Sequence, residues 1–162
     1  FLFYPTNEKE LYKVGDLVKK YKFNLQEIYD DIYRKPMSEL RLMGYIASNL
    51  KVTKNKFAYI IIENDIVNSF NADASSASNM VNDFSNIEEF VAWMFVTKDV
   101  KNDIFKVNIR SRGPIINEVA SRYNGGGHIY SSGARIKTKE ELENLISDLD
   151  NLCKEYNKEK DV

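Results

Sequence analysis

Along residues 1–50 apolar positions recur three and four apart, the spacing of helices that bury one face. Thr6, with Glu8 and Glu10 behind it, opens a helix whose Leu11, Val14, Leu17 and Val18 stay in phase to about Tyr21. Asn24 is placed to cap a second, with Leu25, Ile28, Ile32 and Tyr33 on one face until Pro36 interrupts. Ser38 is expected to cap a third, whose Leu40, Leu42, Met43, Tyr45, Ile46 and Leu50 form a broad apolar face. From residue 51 the period changes. Residues 51–53 and 57–62 read as strands joined by the polar turn 54–56, the second apolar enough to be covered on both faces. Residues 72–84 read as a helix with Ala74, Ala77, Met80, Val81 and Phe84 inward, its polar start either loop or helix; Asp73 is read as its cap, with a ligand mouth at 73–76 as the alternative. Residues 90–96 form another buried strand, and the polar run 98–103 turns it back into 104–109. There the alternation is explicit: Phe105, Val107 and Ile109 face one way, Lys106, Asn108 and Arg110 the other. Gly113-Pro114 stops that strand, and Ile115, Ile116, Val119 and Ala120 give a short helix reaching Tyr123. Thr138 and Glu141 spell a capping box for a last helix with Leu142, Leu145, Ile146, Leu149, Leu152 and Tyr156 inward; the charged run 157–162 is expected to fray. The fold class predicted is α/β (α+β): a mixed β-sheet of about five strands flanked by helices and preceded by N-terminal connector helices.

At 162 residues, 43% of them hydrophobic, the chain can form one moderate domain or a compact domain with a helical appendage. A net charge of −1 supplies no long-range attraction for a polyanion. Nucleotide binding therefore requires a local site for a small ligand rather than a basic stripe along a duplex. The one cysteine, Cys153, excludes an intrachain disulfide and fits a reducing compartment; with no histidine near it in sequence it reads as a packing residue. The longest apolar runs, such as 90–96, are too short to span a bilayer, and the N-terminus lacks a basic start. A cytoplasmic protein without membrane contact is expected.

Candidate chemistry gathers in one segment. If the strand continues to residue 112, Arg110 and Arg112 share its polar face, two guanidinium forks suited to phosphate or to stacking on a base. Gly125, Gly126 and Gly127, three of the seven glycines, let backbone N–H groups approach a phosphate, and the only histidine, His128, follows at once. Singly, these are also what a flexible turn or a solvated edge carries. Together they read as a cradle for phosphate.

The run Arg110-Ser111-Arg112-Gly113, then a helix, then Gly125-Gly126-Gly127-His128 and Ser131-Ser132-Gly133-Ala134 resembles the signature of the DHH-associated domain. This is the C-terminal half of DHH-family phosphoesterases, which include nanoRNA-degrading oligoribonucleases, 3′-phosphoadenosine 5′-phosphate phosphatases and cyclic-dinucleotide phosphodiesterases. Residues 39–45 resemble the family's connector helix and 105–112 its arginine-bearing strand; the likeness is loose before residue 100 and tight after it. Asn124 departs from the pattern, standing where many relatives have a further glycine, and Ile129-Tyr130 replace more polar pairs.

The resemblance implies that 1–36 are the end of the catalytic DHH domain with connector helices and that 37–162 are the DHH-associated substrate-binding domain. The start at Phe1, without Met, is expected to mark a fragment beginning just after the last catalytic segment, since Phe1-Leu2-Phe3-Tyr4-Pro5-Thr6 is similar to the run that follows it. Family members cleave with a separate domain whose Asp-His-His motif helps hold a manganese pair, which needs several His and Asp ligands. With a single histidine and no Asp-His-His, this chain is expected to contain no catalytic or metal residue and no cofactor; Mn2+ is implied for the DHH domain. The resemblance further implies that Arg110 and Arg112 hold a base or phosphate of a short oligoribonucleotide or adenosine bisphosphate. Gly125, Gly126, Gly127 and His128 would hold its terminal phosphate, with Ser111 and Gly133 supporting the site. Residues 128–136 can continue as a strand or open a helix; the resemblance favours a short helical turn, then a strand around 134–136. The implied partners are the DHH domain and, in a homodimeric parent, a second copy. Two alternatives stay open: an interaction or structural module with the arginines as rim contacts, and an RNA-binding C-terminal domain like that of alanyl-tRNA synthetases, which carry a related glycine-rich motif.

Overall fold

The computed structural model describes residues 8–160, and the chain divides into two compact units, 1–36 and 37–162. The Thr6 cap and the run 1–6 lie outside the described residues. In the first unit, α1 (Glu8–Tyr21) carries Val14 and Val18 half-buried on one face. Helix α2 (Leu25–Tyr33) is capped as its sequence predicts, the Asn24 side-chain oxygen accepting from the Gln26 and Glu27 amides.

The second unit opens with α3 (Met37–Asn49), which starts directly after Pro36, so Ser38 sits inside the first turn rather than capping it. Proline favours that boundary because its fixed φ suits a helix entry and its missing N–H would have no partner there. Then follow β1 (Lys51–Val52), β2 (Phe57–Ile62), α4 (Asn64–Ser69), α5 (Ala74–Asn79) and a 3₁₀ turn (Met80–Phe84). The remaining elements are β3 (Ala92–Asp99), β4 (Ile104–Ser111), α6 (Asn117–Ser121), β5 (Gly126–His128), β6 (Ser131–Ile136) and α7 (Lys139–Lys160). The strands form one mixed sheet in the order β1-β2-β3-β4-β6-β5, parallel between β2 and β3 and antiparallel elsewhere.

Each sheet face has its own core. On one, Met94, Val107, Ile109 and Ile136 pack with α6 and with Leu142, Leu145 and Leu149 of α7. On the other, Ala58, Ile60, Trp93 and Phe95 pack with Leu42 and Ile46 of α3, Ala77 of α5 and Met80, Val81 and Phe84 of the 3₁₀ turn. Apart from α3, that layer is the crossover from β2 to β3. It covers the half of the sheet made by β2 and β3.

Three expectations need correction. The single helix over 72–84 is α5 followed by the 3₁₀ turn; the tighter turn seats three apolar side chains on the sheet, and the Val81 carbonyl accepts the Trp93 indole N–H at 2.6 Å. The reading also left out α4, a short helix of mostly polar residues that buries only Val67. The mixed sheet of about five strands is present with six, Gly126-Gly127-His128 forming an edge strand. In place of the helical turn expected after His128, a two-residue turn, Ile129-Tyr130, closes that strand onto β6. Finally, α7 continues to Lys160 instead of fraying at 157, with the Asn157 side-chain amide donating to the Asn55 carbonyl at 2.8 Å. Its other end follows the capping box: the Glu141 amide donates to Thr138 Oγ1 at 3.1 Å and the Thr138 amide to Glu141 Oε2 at 3.3 Å.

Cys153 lies fully buried in the α7 core. Burial, with a smaller push from Asp150, raises its thiol pKa to about 12. Since the thiolate is the reactive form, Cys153 is expected to resist a disulfide reagent at pH 8 in the native protein and to react at once in denaturant; rapid native labelling would contradict this packing role. Among the described residues no helix is long and apolar enough to cross a membrane.

Candidate functional site

Beyond the covering helices, the second face of the sheet is open over β4, β6 and β5, and its residues fall into rows. Partners directly opposite in antiparallel strands share a face. One row therefore runs His128, Ser131, Arg110, Trp93. The next runs Gly126, Gly133, Asn108, Phe95, and a third Arg135, Lys106, Thr97. Successive rows are two strand residues, about 7 Å, apart. A cleft of about 860 Å³ lies over the second and third rows, walled on one side by Ser75, Ser78 and Asn79 of α5.

The three consecutive glycines do different things. A Cβ on Gly125 would stand 2.1 Å from the Gly133 carbonyl oxygen and 2.8 Å from the Ala120 carbonyl oxygen, so this residue lets α6 and β6 close around β5. Gly127 has φ +139°, and its Cβ would meet the Ser131 carbonyl oxygen at 2.5 Å. Gly126 has nothing within 4 Å of a built Cβ; with Gly133 opposite, it leaves the floor of the cleft bare. Asn124 takes the left-handed conformation, φ 52°, at the end of α6, which accounts for an asparagine where a glycine was expected.

Arg110 is partly buried; its Nε donates to Asn82 Oδ1 and its Nη1 to the Ile109 carbonyl, both at 2.9 Å. Arg112 stands one residue past the end of β4, and its Nη2 donates to the Ile87 and Phe90 carbonyls. Arg110 thus reaches the 3₁₀ turn and Arg112 the segment that follows it, as a shared side of the strand requires, but Arg112 clamps backbone while Arg110 lies in the row of His128. Ser111 is buried and holds the turn beyond the strand, donating to the Pro114 carbonyl at 2.7 Å and accepting from the Gly113 amide.

His128 is exposed, and its ring has no hydrogen-bond partner among the described residues. Its backbone is nonetheless fixed. Ser132 Oγ donates to the His128 carbonyl at 2.9 Å, and the turn that follows accepts from the Ser111 amide at Tyr130 and the Ile116 amide at Ile129. The ring is free to meet a ligand from a rigid strand end. Asp73 behaves as the expected cap of α5, accepting from the Ser75 amide at 2.7 Å, which turns that helix's serine face to the cleft.

The sequence reading placed Lys106, Asn108 and Arg110 on one polar face but did not count Lys106, Asn108 or Arg135 as site residues. The signal was present in the period-two patterns Lys106, Asn108, Arg110 and Gly133, Arg135. The contribution of Ser78 and Asn79 was not legible, because it depends on where the crossover packs. Asp99 pairs with Lys106 Nζ at 2.7 Å, and this contact with the Asn102 side chain holds the carboxyl well below the usual carboxylate range. Among the described residues no group of three or more His, Cys, Asp and Glu side chains could hold a metal ion, so the donor set does not fit a manganese pair.

One sheet face of this α/β domain is half open, its floor bare and its rim carrying cations and a histidine, a surface chemically suited to a small anion. Comparison with known proteins agrees on the family: the DHHA1 domain profile matches residues 54–155, and the chain belongs to the DHHA1 domain family. It is 37% identical over 156 residues to the bifunctional oligoribonuclease and PAP phosphatase NrnA of Bacillus subtilis, covering 96% of this chain and 49% of that protein. With the NrnA of Mycoplasma pneumoniae it shares 28% identity over 148 residues, 91% of this chain and 44% of that one. A crystal structure of an exopolyphosphatase-related protein from Bacteroides fragilis superposes with a TM-score of 0.78 at 26% identity, over 92% of this chain and 46% of the other. The chain spans about half the length of the curated relatives it matches.

Proposed function

We propose that this chain is the substrate-binding domain of a DHH-family phosphoesterase, and that its open sheet face holds a short oligoribonucleotide or 3′-phosphoadenosine 5′-phosphate. The observation that carries this reading is the row of Arg110 and His128 beside the bare glycine floor of Gly126 and Gly133. Relatives named for oligoribonuclease and PAP phosphatase activity support the choice of ligand. Arg110 offers a charged fork already oriented by Asn82, and His128 offers a ring N–H to a phosphate oxygen. Arg112 keeps the 87–90 segment against β4 so that the arginine row is preformed. Hydrolysis would belong to a DHH domain carrying Mn2+; the part of this chain's residues is to bind the nucleotide and orient its scissile phosphate.

The test is His128→Ala. Removing one partner of a charge-assisted contact costs about 1–3 kcal/mol, so affinity for a labelled diadenylate should fall while the circular dichroism spectrum and melting temperature stay as they were. Unchanged affinity in the folded variant would remove His128 from the site.

A further inference from the structure

The third row of the open face carries two cations that the Arg110–His128 contacts leave unused. Arg135 and Lys106 stand directly opposite each other on β6 and β4, on the same face. Like charges in that relation destabilise a sheet. Asp99 compensates Lys106 through its 2.7 Å contact, but Arg135 is exposed and has no ion-pair or hydrogen-bond partner among the described residues. Both cations line the cleft, as do Asn108 and Gly133 in the row between. A like-charged pair inside a cleft, one of whose cations is left without a partner, is the pattern of a binding site rather than of a stabilised surface.

The distance to the Arg110 row fixes what such a site can take. Lys106 and Arg110 are four strand residues apart, about 13 Å along β4. The row between them offers a flat floor, since Gly126 and Gly133 present no side chain and Asn108 can donate to a passing phosphate. A ligand reaching from one cationic row to the other must be an extended chain carrying a phosphate at each end of that span. An adenosine bisphosphate or a dinucleotide anchored at Arg110 and His128 is too short to do so.

We propose that Arg135 and Lys106 form a second phosphate subsite, engaged by oligonucleotides of three or more residues that already occupy the Arg110–His128 row. It makes affinity rise with ligand length and leaves the shortest ligands indifferent to it. The inference rests on the nucleotide-binding reading above.

The experiment uses the 162-residue chain with 5′-phosphorylated diadenylate and tetra-adenylate, each titrated at several salt concentrations, for the unaltered protein and for Arg135→Ala, Arg135→Lys and His128→Ala. Arg135→Ala should weaken tetra-adenylate on the order of 10-fold, while diadenylate stays unchanged within experimental scatter. The salt dependence of tetra-adenylate binding should lose about 0.7 in log–log slope, the value for one phosphate contact on a single strand. Arg135→Lys, which keeps the charge, should restore that slope. If Arg135→Ala leaves both ligands and the slope unchanged while His128→Ala weakens both, the subsite is wrong and the nucleotide reading stands. If it weakens both ligands equally, Arg135 belongs to the first site and the length-dependent subsite is overturned. If the unaltered chain binds neither ligand, both readings fall together.

Discussion

Gly125→Ala is expected to lower the stability of the protein by about 3 kcal/mol or more, beyond the ordinary cost of an added methyl group in a packed interior. The new Cβ would stand 2.1 Å from the Gly133 carbonyl oxygen and 2.8 Å from both the Ala120 carbonyl oxygen and the Ala134 Cα. All three are backbone atoms, one in α6 and two in β6, so relief requires one element to move away from the edge strand. Gly126→Ala, one residue on, is the control. Its Cβ meets nothing within 4 Å, and its stability should match or slightly exceed that of the unaltered chain. Urea unfolding at constant m separates the two. Equal midpoints would mean that β5 is not held against α6 and β6 as described. Because Gly126 forms the cleft floor, its alanine variant should bind nucleotide less well although fully folded.

Arg110→Ala should cost about 3 kcal/mol of nucleotide affinity, the upper end of the range for a hydrogen bond to a charged group, on the order of 100-fold in dissociation constant. The reason lies in preorganisation. The Nε bond to Asn82 and the Nη1 bond to the Ile109 carbonyl fix the plane of the guanidinium before a ligand arrives, so little side-chain freedom is lost on binding. Arg110→Lys keeps the charge but not the fork and should recover only part of the loss. If Arg110→Ala binds diadenylate as tightly as the unaltered chain, the row of Arg110 and His128 is not where the phosphate sits. Arg112, whose Nη2 holds the Ile87 and Phe90 carbonyls, acts through that segment instead.

Much of this arrangement is legible in the chain itself because local chemistry and tertiary context agree. Asn24, Thr138 and Glu141 cap helices where their residue types predict, and the alternation from Phe105 to Arg110 gives the register of β4 and with it the face on which Arg110 lies. What the pattern hides is set by packing across the sheet. Glycine is among the poorest strand formers, so Gly126 and Gly127 read as a loop until β6 is there to pair with them. The segment 72–84 has helical spacing throughout, yet the Trp93 indole takes the Val81 carbonyl and the chain tightens into a 3₁₀ turn. Likewise Arg135 looks like an isolated surface charge until β6 sets it opposite Lys106. Period two was visible in β4, but no single strand reveals which partner lies across from it.

The measurement that tests the central claim most directly is equilibrium titration of the purified chain with labelled 5′-phosphorylated diadenylate, with and without manganese, following hydrolysis in the same samples. Saturable binding that does not depend on the metal, leaves the dinucleotide intact and is lost in Arg110→Ala and His128→Ala is the predicted result. No binding, or binding that both variants retain, would contradict the assignment of the open sheet face as the nucleotide site.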